Sequence, residues 1–268
     1  MPIQERFITT ARGDMAWLEA GQGWPLLLLH AFPMNATMWR PQLERVPEGW
    51  RFIAPDFRGF GRTPPGSAPI SIDAHAADVG ALMDTLQIEE AIVGGLSMGG
   101  YTAFAILRHA ARYVQGLILA DTRAEADAPE GLEGRRKMLE LVHAKGAAAV
   151  AEEMIPKLLG ETTRRSRADV IDHVRSLVLS NSPEAIAGSV RALMSRPDST
   201  PLLPTIHVPT LILVGAEDTV TPPPLSEKMH HAIAGSELTV IPGAGHLANL
   251  EQPDLFNAAL ARFINHRL

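Results

Sequence analysis

The chain has 268 residues, 46% of them hydrophobic, with a formal net charge of -6, no cysteine and no long run of like charge. That length carries one large α/β domain, or a core domain with an insertion, and buries a sizeable core without disulfides. The lack of cysteine excludes thiolate nucleophiles, iron–sulfur clusters and zinc–thiolate sites, and the modest acidity gives no electrostatic basis for a nucleic-acid or anionic-membrane partner.

Residues Met1 to Arg6 lack the basic-then-apolar pattern of a leader, so the expectation is a cytoplasmic protein. Arg6 to Thr10 and Met15 to Ala20 are predicted as strands joined by a turn at Arg12-Gly13-Asp14, and Gly21-Gln22-Gly23 turns the chain into Leu26 to Leu29. This last run is apolar on both faces, as a strand inside a parallel sheet must be. Further short apolar runs lie at Arg51 to Ala54, Ala91 to Gly94, Gly116 to Ala120, Thr210 to Val214 and Glu237 to Ile241. Between the first and second of these, Ile72, His75, Val79, Leu82, Met83 and Leu86 recur at helical spacing behind Ser71, a fitting N-cap. Strand and helix thus alternate, which argues for a mostly parallel sheet wrapped by helices.

The rhythm breaks between Asp121 and about Pro204. Amphipathic helical patterns take over, among them Met138, Leu141 and Val142; Met154, Ile155, Leu158 and Leu159; and Val190, Leu193 and Met194. The many Arg and Glu residues there read as a solvated face. The predicted organisation is an α/β core formed by residues 1–121 and 205–268, interrupted by a helical insertion at 122–204. The longest uncharged run, Ala91 to Leu107, is studded with glycine and falls short of the ~20 residues of a membrane helix, so no membrane span is expected.

Gly95-Leu96-Ser97-Met98-Gly99 carries the chemistry. It sits between a short apolar strand and a helix-like run, the context in which G-x-S-x-G presents a serine hydroxyl above a sheet. Acyl transfer through serine further needs a base, a carboxylate that orients the base, and donors for the developing oxyanion. The chain order expected for this architecture is Ser, then Asp or Glu, then His. Asp218, in the loop after Thr210 to Val214, and His246, after Gly243 and Gly245, satisfy it at the C-terminal ends of strands, where open parallel sheets place their sites. Glu217 and Asp121 are the alternative carboxylates. His75, His109, His143 and His173 read as ordinary helix residues, and His230 and His231 have no metal partner at useful spacing, so no metal site is expected. The backbone N–H groups of Met98 and Phe32 are the candidate oxyanion donors. Met34, Trp39 and Leu247, together with Phe32, Met38 and Met98, are candidates for an apolar pocket, and Arg123 for a group aimed at an anionic substrate.

His30-Ala31-Phe32-Pro33, Asp56-Phe57-Arg58-Gly59-Phe60-Gly61, Gly95 to Gly100, Gly215 to Asp218 and Gly245-His246-Leu247 together resemble the α/β-hydrolase superfamily along essentially the whole chain. Within it the chain is similar to small bacterial carboxylesterases and 3-oxoadipate enol-lactonases, to which Leu119 to Ala124 and Glu152 to Pro156 also correspond. The resemblance implies a catalytic triad of Ser97, Asp218 and His246, no cofactor, a helical cap over the pocket and a small-molecule ester or lactone as substrate. Many relatives carry glycine where this chain has Ala31, which would be strained in a glycine-only conformation. The expected activity is serine carboxylesterase on short to medium acyl esters. A lactone hydrolase of the enol-lactonase kind is the alternative, and a perhydrolase or cofactor-free haloperoxidase side activity or a non-catalytic ligand receptor are minor ones.

Overall fold

In the computed structural model, which describes residues 2–266, β1 (Gln4–Thr10) and β2 (Gly13–Gly21) form an antiparallel hairpin. The turn is shorter than expected, Ala11 and Arg12 alone, because Gly13 and Asp14 already pair with Thr10 and Thr9. β3 (Trp24–Leu29) follows, its four leucines buried. A short helix, α1 (Arg40–Leu43), leads to β4 (Trp50–Pro55), and α2 (Ile72–Thr85) begins where the sequence places it, with the Ser71 hydroxyl accepting the Ala74 N–H at 3.0 Å.

β5 (Ala91–Leu96) runs into α3 (Met98–Ala110), and β6 (Val114–Ala120) returns beside it. Four helices come next: α4 (Pro129–Leu158), broken at Gly146, then α5 (Glu161–Ser166), α6 (Ala168–Leu179) and α7 (Pro183–Ser195). β7 (Thr210–Gly215), α8 (Pro223–Ala232), β8 (Glu237–Ile241), α9 (Ala248–Glu251) and α10 (Pro253–His266) complete the chain.

The eight strands form one sheet in the order β1-β2-β4-β3-β5-β6-β7-β8. β2 pairs antiparallel with both β1 and β4; from β4 onward every pairing is parallel. β5 is therefore central and covered on both faces, which accounts for its run of six buried residues. The parallel strands send their C-terminal ends to one edge, and the loops after β3, β5, β7 and β8 meet there. Among the described residues no helix is long and apolar enough to cross a membrane.

Candidate active site

The turn from β5 to α3 is built by close backbone approach. A Cβ at Gly95 would fall 2.2 Å from the Gly99 carbonyl oxygen, and one at Gly99 would fall 2.1 Å from that of Leu29. With no room for side chains on either side, the chain reverses over a single residue, and Ser97 takes φ 54° and ψ −110°. Such a conformation costs on the order of 1–3 kcal/mol and persists only where the surroundings enforce it. Here the Ser97 N–H donates to Ala120 O at 2.9 Å, and its carbonyl accepts the Thr122 hydroxyl at 2.9 Å.

Asp218 lies in the loop after β7, and its carboxylate is saturated. Oδ1 accepts the N–H groups of Val220 and Thr221 at 2.8 and 3.0 Å, while Oδ2 accepts the Thr221 hydroxyl at 2.7 Å and His246 Nδ1–H at 2.8 Å. Burial pushes this carboxyl up, but the neighbouring imidazole and the Thr221 bonds outweigh it and bring its pKa down to about 2. The two rival carboxylates are engaged elsewhere. Glu217 accepts the Thr162 N–H at 2.9 Å and turns outward to α5. Asp121, fully buried, accepts the Gly215 N–H at 2.7 Å; burial first and the charge of Asp218 second raise its pKa well above the carboxylate range. Of the three, Asp218 alone touches His246.

His246 reaches this position because the loop after β8 doubles back over β7, with the Glu217 N–H on Ala244 O at 2.8 Å. Its own N–H donates to Leu158 O at 2.9 Å. Glu251, wholly buried, accepts the N–H groups of Gly245 and Leu247 at 2.9 and 3.1 Å and that of Gly160 at 2.8 Å. Nothing in the spacing of the sequence marks this glutamate. With Nδ1 committed to Asp218, Nε2 is the nitrogen left to act on a neighbour.

Ser97 and His246 line one cavity of about 40 Å³, walled also by Phe32, Tyr101, Thr221 and Val220 and, from the helices between β6 and β7, by Arg135, Met154, Leu158 and Leu193. Arg123 is in this wall as well. Met34, Trp39 and Leu247 are not: each is at most 1% exposed and belongs to the core, Trp39 with its ring 6.0 Å from that of Phe256. Larger depressions, of about 420 and 440 Å³, open around Gly23 and Arg51 at the opposite, N-terminal ends of the parallel strands and contain no nucleophile.

The loop after β3 is pinned from three sides. His30 Nδ1–H donates to Ala31 O and its Nε2 accepts the Phe57 N–H at 3.0 Å, while Asn181 Nδ2 donates to Pro33 O at 2.8 Å. Ala31 is not among the residues with positive φ, so its side chain meets no backbone penalty, and its N–H faces Met38 Sδ at 3.2 Å. The N–H groups of Phe32 and Met98 donate to no acceptor among the described residues, Met98 being the first residue of α3. No group of three or more His, Asp or Glu side chains among the described residues converges as a metal site would.

Residues 25–253 match the family described as alpha/beta hydrolase fold. The AB hydrolase superfamily protein YisY of Bacillus subtilis is 33% identical over 92% of this chain and 94% of its own length. The 3-oxoadipate enol-lactonase 2 of Acinetobacter baylyi is 28% identical over 88% of this chain and 86% of its own. Among solved structures, a thermophilic esterase from Thermogutta terrifontis, with malate bound, is 41% identical and superposes with a TM-score of 0.92 over 98% of each chain. The enol-lactonase of Burkholderia xenovorans is 25% identical with a TM-score of 0.89, over 97% of this chain and all of that one. A central strand that turns sharply at Ser97 into a helix, the order of its neighbours and a match spanning most of the sequence lead to one conclusion: the chain belongs to the α/β-hydrolase fold family.

Proposed function

We propose that the protein is a serine hydrolase of carboxylic esters with short acyl groups, working through an acyl-enzyme on Ser97. The observation that carries this reading is one cavity shared by Ser97, on its enforced turn, and His246, whose Nδ1–H is held by Asp218 at 2.8 Å. Ser97 Oγ attacks the ester carbonyl carbon and passes its proton to His246 Nε2. The carbonyl oxygen, now an oxyanion, is received by the N–H groups of Phe32 and Met98, with the N-terminus of the 13-residue α3 favouring its charge. Collapse expels the alkoxide, which takes the proton from His246. Water then attacks the acyl-enzyme with the same imidazole as base, releasing the acid and restoring the serine.

The helical segment 122–204 serves as a cap over a core of residues 1–121 and 205–268, and the narrowness of the cavity, about 40 Å³, favours small acyl groups. The esterase similarity supports the same class of reaction. Lactone hydrolysis is a second reading, favoured by the similarity to two enol-lactonases. The steps are the same, except that the leaving alkoxide stays tethered to the acyl-enzyme.

The test is hydrolysis of 4-nitrophenyl acetate, ethyl esters and lactones by the wild type and by Ser97→Ala. A pre-steady-state burst in the wild type, and loss of both burst and turnover in the variant, is the expected result. Unchanged turnover in Ser97→Ala overturns the assignment.

A further inference from the structure

The wall of the Ser97 cavity contains two guanidinium groups, Arg123 and Arg135, and no carboxylate. Both reach outward to Asp127, a carboxylate 1% exposed, which also receives Arg196 at 2.9 Å. One negative charge is thereby shared among three positive ones. Arg196 is fully engaged: it donates to Leu193 O and Glu125 O at 2.8 and 3.1 Å, lies 4.3 Å over the ring of Tyr101 and has Asp198 nearby. Glu125 does not line the cavity and has Lys228 at 3.8 Å. The uncompensated charge therefore falls on Arg123 and Arg135, whose side chains are 24% and 23% exposed, and the buried Nε of Arg123 donates to nothing. A purely structural ion pair tends toward neutrality; two partly free guanidiniums beside a nucleophile form a fork suited to a planar anion.

We propose that Arg123 and Arg135 form a carboxylate-binding subsite, and that the preferred substrate is a small ester or lactone bearing a second, ionised carboxylate. This rests on the hydrolase reading above and narrows it to a substrate class. Asp127 holds both arginines at the wall from behind, so the anion is met by preset donors, and Tyr101 fixes the third arginine of the cluster.

The test compares monoethyl succinate, charged on the acyl side, and O-acetylglycolate, charged on the alcohol side, with uncharged ethyl butyrate, and uses succinate as an inhibitor of ethyl butyrate hydrolysis. The wild type is expected to favour at least one charged ester by about tenfold or more in kcat/KM, through KM, and to be inhibited competitively by succinate. Arg123→Gln and Arg135→Gln, each checked by thermal melting, should cut that preference ratio about tenfold. A wild type that favours neither charged ester and ignores succinate overturns the subsite, whatever the variants do. If either variant fails to fold, the wild-type ratio and the succinate inhibition decide alone. If the wild type cleaves no ester while Ser97→Ala binds succinate in calorimetry, the hydrolase reading fails and the subsite stands.

Discussion

Glu251 accepts the Gly160 N–H at 2.8 Å on one carboxylate oxygen while its other oxygen holds the loop of His246, so one buried side chain joins the β6–β7 helices to the loop of the proposed base. Glu251→Gln puts an NH2 group among three N–H donors. Stability should fall by about 1–3 kcal/mol, and kcat by about tenfold or more with little change in KM. Urea denaturation and steady-state kinetics check the two effects separately.

Asp218 and Glu217 are neighbours in the chain with opposite fates. Asp218→Asn keeps the shape but loses the carboxylate that fixes the His246 tautomer, and kcat should drop by about 10³–10⁴. Glu217→Ala removes an outward-facing carboxylate that bonds to the start of α5 and should leave kcat within about threefold. If Asp218→Asn stays active and only a further change at Asp121 removes turnover, the carboxylate has been assigned to the wrong residue.

Two buried histidines contribute to the response to acid. His75 is stacked on Phe57 with both ring nitrogens unpartnered, and burial lowers its pKa to about 3; burial lowers that of His30 to about 4. A histidine whose folded pKa lies below its unfolded value near 6.5 leaves the unfolded state binding more protons. The contribution of each such histidine to stability is therefore full above about pH 6.5 and is lost as pH falls toward its folded pKa, at roughly 1.4 kcal/mol per pH unit. Asp218, whose folded pKa is depressed to about 2, adds its own loss only below about pH 4. His75→Leu should flatten the upper part of the decline, read as urea midpoints between pH 7 and 4.

The glycines around Ser97 differ sharply from those on the surface. Gly95→Ala and Gly99→Ala drive a methyl group into backbone at 2.1–2.2 Å and should remove activity, with a loss of thermal stability or of soluble protein. Gly134→Ala, in an exposed stretch of α4 with open space around it, should be neutral or stabilise by up to about 1 kcal/mol.

Chain-length preference follows from the wall. Met154→Ala and Leu193→Ala enlarge the cavity on the side of the helices and should shift the best substrate in an ethyl ester series from acetate or butyrate toward hexanoate, with kcat on acetate changed less than fivefold. An unchanged profile would place the acyl group elsewhere.

The strand pattern was readable from sequence because parallel strands buried on both faces leave uninterrupted apolar runs, as at Leu26 to Leu29 and Thr210 to Val214. Ser97 and Asp218 stood out because each follows such a run in a glycine-marked turn or loop, and His246 because Gly243 and Gly245 mark its loop, although β8 before it is only partly buried. The pocket wall was not readable. Met34 and Leu247 look no different in sequence from Met154 and Leu158, and only the path of the helices decides which of them meets a cavity. The charged residues between β6 and β7 read as a solvated face, yet Asp127 and Arg196 are buried against each other. A long-range ion pair between loops at 127 and 196 leaves no periodic trace. Glu251 is hidden for the same reason, since its partners at 160 and 245 are fixed only by tertiary contact.

The Leu158 carbonyl that accepts the His246 N–H belongs to the last residue of α4, a helix that also supplies Arg135 and Met154 to the wall. Divergence within this helix should therefore be uneven. Positions 135 and 154 are at liberty to drift toward new substrates, whereas the stretch from 158 to 160 is moored to the loop of the proposed base, so altered selectivity should accumulate upstream of that anchorage and rarely across it.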